Sequence, residues 1–494
     1  MEDPHLAVIP STDSKAVELV NADPPLADSK QVEDGSWTND HEPVVSQREL
    51  WSYYLYYNGN NGVGPMGYSF TLFQSLITAA GHDPNLGEGS SCQSDGSGEC
   101  VVPFGGRMKS VTSVALVANG LAFAIMTLLF TTFGGAADHG SFGRYFLLAL
   151  TLICWASQYS TIALNEDPMK WKWAMVLYII GFVSYGATLV FYAAAFPRLA
   201  RHTPKAKAAR DPVNRLSDNQ LETELSLERN RISNISTVHS NLGFLFVSLL
   251  NLSILIPLAG KKLIDTYTII LTNTYWVILG VWWFIFQAPR PGPLLPADSS
   301  YWTIGWIGLL KSFRQAKQLP MTFTYLIAFF LLADGLNTTG TLVGIVQANQ
   351  IEFSFLDSTY LGITQAITSI LSTAGFWLIQ KRWKFRTKTM FVITNIVTVM
   401  IPAWGLIGIW TSKIGFHHRW EFWLYNVIFG LFQAPYYAYS QTIMAELSPP
   451  GFENMGFAFL FPICLISSLI IWFTVDIERG KLDAATWAAD QKID

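Results

Sequence analysis

Charge is scarce in this chain. Asp, Glu, Lys and Arg make up only 14% of its 494 residues, against about 25% in a soluble globular domain. The net charge of −4 leaves no cationic surplus for a nucleic-acid partner. Cysteine is nearly absent, and its four residues show no metal-ligand spacing, so no metal site is expected. No zincin, nucleophile-elbow or phosphate-loop signature occurs, which argues against an enzyme and against a resident cofactor. The first fifty residues lack an apolar run and so are no cleavable signal peptide. They carry eleven acidic residues against Lys15, Lys30 and Arg48, and read as a disordered acidic cytosolic tail over 1–50.

What the chain does have is apolar length. Half of its residues are hydrophobic, with 18 Trp and 33 Phe. A spanning helix needs about 20 mostly apolar residues. Eleven such stretches occur, near 55–80, 108–133, 145–164, 173–196, 236–259, 267–288, 321–346, 356–379, 389–410, 421–445 and 457–475. No Lys or Arg lies in the middle of any of them, as expected where a central cation costs about 2.5–3.5 kcal/mol. With the N-terminus cytosolic, eighteen basic residues fall in cytosolic loops and eight in the opposite ones, so that orientation is predicted. The basic stretch 197–235 contributes most, and reads as a topology-setting loop or one that touches acidic headgroups.

These runs predict an all-α polytopic membrane protein. A six-helix half over 51–288 is followed by a linker, 289–320, that opens Pro289-Arg290-Pro291-Gly292-Pro293 and then turns amphipathic, as a helix lying on the membrane surface. A second half, 321–475, and a tail, 476–494, complete the chain.

Two spans are interrupted by polar residues and glycine. The first reads Asn58-Gly59-Asn60-Asn61-Gly62-Val63-Gly64-Pro65, and the seventh reads Asp334-Gly335-Leu336-Asn337-Thr338-Thr339-Gly340. Paired broken helices at matching positions of two halves mark solute sites in transporters. Asn58, Asn60, Asn61, Asn337 and Thr338 are therefore candidate solute contacts, since carboxamides, hydroxyls and freed backbone offer both donors and acceptors. The alternative is that Asn58–Gly62 caps a shorter helix beneath an interfacial belt of Tyr53, Tyr54, Tyr56 and Tyr57. Asp334 lies deep in its span, where a carboxylate is costly, and is the candidate for proton coupling or for a helix–helix hydrogen bond. Glu446 reads as a cap or loop residue and His239 as a helix-end residue. Cys92 and Cys100 share a polar loop and form either a disulfide or two free thiols, while Cys154 and Cys464 read as packing residues.

Between the second and third spans stand Gly134, Asp138, Gly143 and Arg144, in a loop that resembles the cytosolic signature loop of the major facilitator superfamily. In such a loop Gly ends one helix, Asp suits the start of the next, and Arg meets lipid phosphate. Longer stretches, Leu50 to Pro65, Arg231 to Ser236, Ala333 to Thr338, Ser440 to Leu447 and Val475 to Gly480, are similar to the fungal autophagy-related vacuolar amino-acid effluxers within that superfamily. The resemblance implies a major-facilitator-like bundle of two halves in the vacuolar membrane. It further implies export of amino acids to the cytosol after autophagy, with protons as the candidate coupling ion and the lipid bilayer as surroundings. Two alternatives stay open: a transporter of another small solute, and a membrane sensor or scaffold in autophagy. The family pattern has twelve spans where eleven are visible, and the eleventh is the one expected but not found, between Pro449 and Met455. A coding segment lost from the sequence or a transport-impaired variant would each explain it.

Overall fold

The computed structural model describes residues 42–315 and 355–447, apart from 85, 88, 91, 93–99, 215, 259–262, 298, 409 and 412, together with scattered helical positions between 324 and 343. Asp334, Asn337, Thr338, Cys464 and the last span, 457–475, lie outside the described residues, as does the segment where an eleventh helix was expected.

The first span is two pieces. Helix α1, Gln47–Gly59, starts where Ser46 accepts from the Glu49 amide at 3.1 Å. A π-helical stretch, Val63–Tyr68, follows, and then helix α2, Ser69–Ala80. The acidic tail therefore ends before residue 50: Val45 and Glu49 are buried, and the Val45 amide donates to the His202 carbonyl at 2.9 Å. On the far side of the molecule a hairpin pairs β1, Val101–Phe104, with β2, Arg107–Ser110. Its turn is Gly105-Gly106, both at positive φ, as a two-residue hairpin turn demands. Cys92 and Cys100 are joined by a disulfide in the same loop.

Helices α3 (Val111–Phe133), α4 (Phe142–Ser160) and α5 (Trp171–Arg201) follow. The basic stretch after them is folded as well: α6 covers Pro204–Arg210 and α7 runs unbroken over Asp218–Leu255. A capping box of Ser217 and Gln220 opens α7. Its 38 residues span about 57 Å, so it projects well beyond a hydrocarbon core of about 30 Å. His239 is consequently a mid-helix residue, seated between the rings of Trp51 and Tyr54, and not a helix-end residue. Helix α8, Ile264–Phe286, closes the first half.

The linker docks on that half. Gly140 donates to the Pro293 carbonyl at 2.9 Å and Gly292 donates back to Gly140 at 2.8 Å. Tyr301 stacks on Phe142, and Trp302 meets Phe133 edge-on. Helix α9, Ile304–Gln315, then crosses the end of α3, where Gly135 and Gly305 approach so closely that a Cβ on Gly135 would lie 3.0 Å from the Gly305 Cα.

In the second half, α10 (Phe355–Trp383) and α11 (Thr387–Ile407) precede another broken span. That span is α12 (Arg419–Ile428), a π-helical stretch (Phe429–Gln433) and α13 (Ala434–Leu447). Seven helices among the described residues are long and apolar enough to cross a membrane. The first and tenth spans are absent from that seven because each is interrupted, the seventh because only scattered positions of it are described, and the last because it falls outside the described residues.

The main core fills the first half, with Tyr56, Phe73, Phe130 and Trp283 all at most 2% exposed. Tyr53, Tyr54 and Tyr56 belong to this core, Tyr53 stacking on Tyr192 at 4.2 Å, so they form no interfacial belt.

Candidate solute-binding site

The break in the first span is built by its own residues. The Asn60 amide donates to the Tyr56 carbonyl and ends α1. Gly62 sits at φ +84°, which L side chains rarely adopt, and the Tyr185 hydroxyl occupies the space a Cβ would need. Asn61 staples the break at both ends. Its carboxamide nitrogen donates to the Asn58 carbonyl at 3.0 Å, and its oxygen accepts from the Val63 amide at 3.1 Å.

Asn58 is engaged elsewhere. Its side-chain oxygen accepts from the Tyr275 hydroxyl of α8, and its backbone carbonyl abuts Gly243 of α7 so tightly that no Cβ fits there. The structure thus separates the three asparagines by role: Asn58 joins helices, and Asn61 shapes the turn. Asn60, only 1% exposed, donates to the Thr188 hydroxyl of α5 at 3.2 Å. Its own carboxamide oxygen has no hydrogen-bond partner among the described residues.

A buried acceptor without a donor costs about 1–3 kcal/mol, and the first half holds others. The carboxamide oxygen of Asn273 and the indole N–H of Trp276 are likewise buried without partners among the described residues. The Asn251 and Asn273 nitrogens donate to Thr272 at 2.8 Å and to the Trp155 carbonyl at 3.1 Å. Ser69 donates to the Gln158 carboxamide oxygen at 2.7 Å. A cavity of about 10 Å³, roughly the room for one water centre, is bounded by Gly62, Gly64, Gln158, Thr272, Asn273 and Trp276. Gly59 exists for contact, since a Cβ there would lie 2.8 Å from the Trp276 ring.

From this break a polar face leads outward. Thr71, Gln74, Ser75 and Thr78 lie on one side of α2 and border an open volume of about 670 Å³, while Leu72, Phe73, Leu76 and Ile77 are buried on the other. Lipid would not favour such a face.

On the face assigned to the cytosol the two halves are tied together. Ser226 and Thr387 both donate to one Glu446 oxygen, at 2.7 and 3.0 Å. Asn230 donates to Thr387 at 2.8 Å, and Arg229 lies 3.6 Å from the same carboxylate oxygen. Ser233 donates to the Ala438 carbonyl at 2.8 Å. Glu446 is therefore the shared acceptor of an interhelix network and not a helix cap.

The signature loop keeps its expected helix-ending glycine but not its helix-starting aspartate. Gly134 follows the end of α3, and Asp138 is buried in a 3-10 turn. Ser141 occupies the N-cap of α4. Gly143 is required, as a Cβ would lie 2.6 Å from the Ala137 carbonyl. Arg144 donates to the Phe284 carbonyl at 3.1 Å.

Sequence reasoning missed Thr188, Thr272 and Asn273, which sit inside otherwise apolar runs. The Thr268, Thr272, Asn273 pattern in α8 was the available signal, being polar at helical spacing within a span. It also missed the break at Gly430, where the Thr368 hydroxyl and the Gln365 carbonyl of α10 fill the place of a Cβ. π-Bulges of this kind are frequent at functional sites.

A family model described as "Vacuole effluxer Atg22 like" matches residues 45–475. The chain belongs to this family. Among its relatives, Autophagy-related protein 22 of Coccidioides immitis is 25% identical over 74% of this chain and 67% of the relative. Autophagy-related protein 22-1 of Penicillium rubens is 23% identical over 80% of each. Among solved structures, the human organic anion transporter MFSD10 aligns over 86% of this chain and 93% of its own, with a TM-score of 0.48 at 14% identity. A point mutant of the nucleoside transporter NupG aligns over 87% and 92%, with a TM-score of 0.42 at 13% identity. This effluxer is a mostly helical, multi-pass protein of the vacuolar membrane, and its family is one of transport.

Proposed function

We propose that this effluxer carries amino acids from the vacuole lumen to the cytosol, supporting recycling after autophagic breakdown, by alternating exposure of a site at the broken first span. The observation that carries the reading is the Asn60 carboxamide, fully buried at a helix break with its oxygen unpaired among the described residues. An ammonium group supplies the missing donor, and the amides freed at the break suit a carboxylate. The polar face of α2 is the route from the lumen, and the Glu446 network is the closure on the other side. Asp334 is the proposed proton carrier, since an acidic lumen would drive efflux.

Uptake of a panel of labelled solutes into reconstituted vesicles, with and without a pH gradient, tests this. Amino acids should be carried, Asn60→Ala should lose most of the transport, and Asp334→Asn should lose its pH dependence. Transport of sugars or nucleosides in preference to amino acids would replace the substrate class.

A further inference from the structure

We infer that the second half supplies its own contact to the transported solute, the Tyr437 hydroxyl, as a donor to the solute carboxylate. The inference rests on the proposed amino-acid transport and adds a residue from the opposite half to the amides of the first break. Its starting point is how the two broken spans, α1 and α12–α13, lie against each other. Helices α1 and α7 run the same way, since Trp51 meets His239 and the Asn58 carbonyl meets Gly243. Helices α7 and α13 run opposite ways, since Ser233 bonds to Ala438 while Ser226 bonds to Glu446. The broken spans are therefore antiparallel.

One contact sets their register. The Tyr57 side chain of α1 interacts with Ser240 of α7 and with Gln441 of α13, across the halves. Four residues toward the lumen from that contact, about 6 Å at helical rise, α1 leads to Asn61 and α13 leads back to Tyr437. Eight residues away, about 12 Å, stand Pro65 and Gln433. Pro65 belongs to the first π-helical stretch, Val63–Tyr68, and Gln433 ends the second, Phe429–Gln433. The two breaks thus lie at one depth, one in each half. Broken helices paired in this way are where transporters hold their solutes.

The second break complements the first in chemistry. Gln433, Tyr437 and Gln441 recur every four residues, so they share the face of α13 that meets Tyr57. Gln433 is buried and donates its carboxamide N–H to the Tyr437 hydroxyl at 3.1 Å. A hydroxyl that accepts one bond donates the next more strongly, and this one has no acceptor among the described residues. The Leu431 carbonyl in the break is already taken by the Ser372 hydroxyl of α10. The second break therefore presents a donor where Asn60 presents an acceptor. A zwitterion uses both, its ammonium donating to the carboxamide oxygen and its carboxylate accepting from the phenol.

The test is competition in vesicles reconstituted with the full-length protein. Uptake of labelled alanine, phenylalanine and lysine is inhibited by each unlabelled amino acid and by its primary amide, in mildly acid buffer where both keep a protonated amine. The natural chain should prefer the carboxylate form. Tyr437→Phe keeps the ring and removes the donor, and should shrink that preference by about tenfold while changing inhibition by the amide little. Gln433→Leu leaves the hydroxyl without the bond that strengthens it, and should shrink the preference less. Asn60→Ala should weaken acid and amide alike, because both carry the ammonium. The preference is a ratio and does not depend on how much protein is folded. An unchanged preference in Tyr437→Phe, or an equal loss for acid and amide, overturns the inference and leaves amino-acid transport standing. No uptake of any of the three amino acids by the natural chain overturns the transport reading and the inference with it.

Discussion

Glu49 and Arg290 stand 241 positions apart in sequence and form a buried ion pair, with Nη2 2.9 Å from Oε2. Glu49 is 1% exposed and also accepts from the Ala288 amide at 3.0 Å. The first turn of α1 is thereby fastened to the start of the linker between halves. Removing one member of a buried pair strands the other, at a cost of about 3–5 kcal/mol. Glu49→Ala should therefore lower the unfolding temperature sharply, and Arg290→Ala should do the same. The double variant should lose less than the sum, which a double-mutant cycle would measure.

Gly62 should tolerate no side chain. Its left-handed backbone disfavours an L residue by about 1–2 kcal/mol, and the Tyr185 hydroxyl stands where a Cβ would go. Gly62→Ala should impair solute transport in vesicles more than it reduces the amount of folded protein. Equal losses in both would mean that the break serves folding alone.

Glu446 should bias the two halves toward closure on the cytosolic face. Glu446→Gln keeps a carbonyl acceptor for Ser226 and Thr387 but loses the charge that faces Arg229. A loss of about 1 kcal/mol shifts a two-state population about fivefold. Labelling of a cysteine placed at Ser233, by an impermeant thiol reagent added on the cytosolic side, should speed up by that order. Unchanged labelling would remove the closure role.

His202 should make the tail anchorage sensitive to acid. Burial pushes its imidazole below the ordinary value of 6.5, and Arg290 and Lys207 push the same way, against Glu42 and a bond to the Arg198 carbonyl that raise it. A histidine held neutral in the folded state binds fewer protons than in the unfolded chain. Its contribution is therefore complete above about pH 6.5 and is lost as pH falls through the lowered folded value. Unfolding temperatures measured from pH 7.5 down to pH 5 should fall more steeply for the natural chain than for His202→Asn.

Part of this architecture was legible residue by residue. Asn60-Asn61-Gly62 ends α1, because these residues act on backbone within a few positions. The pattern of apolar runs likewise places the spans. The stretch after Arg201 was misjudged because its basic charge signals a loop, whereas the capping box at Ser217 lets a helix of 38 residues begin outside the membrane. The π-break at Gly430 was hidden because its cause is α10 pressing from a distant part of the chain.

The sequence by itself determined that this chain is a helical membrane protein with a broken first span, since hydrophobic length and local backbone preference need no third dimension. Only the tertiary structure decided which of the three asparagines is left with an unpaired oxygen. Asn58 meets Tyr275, Asn61 meets its own neighbours, and Asn60 meets Thr188 with one atom while its other goes unmatched among the described residues. Hydrogen-bond partners of that kind come from helices brought together by packing, and chemically identical side chains acquire different roles from where those helices stop.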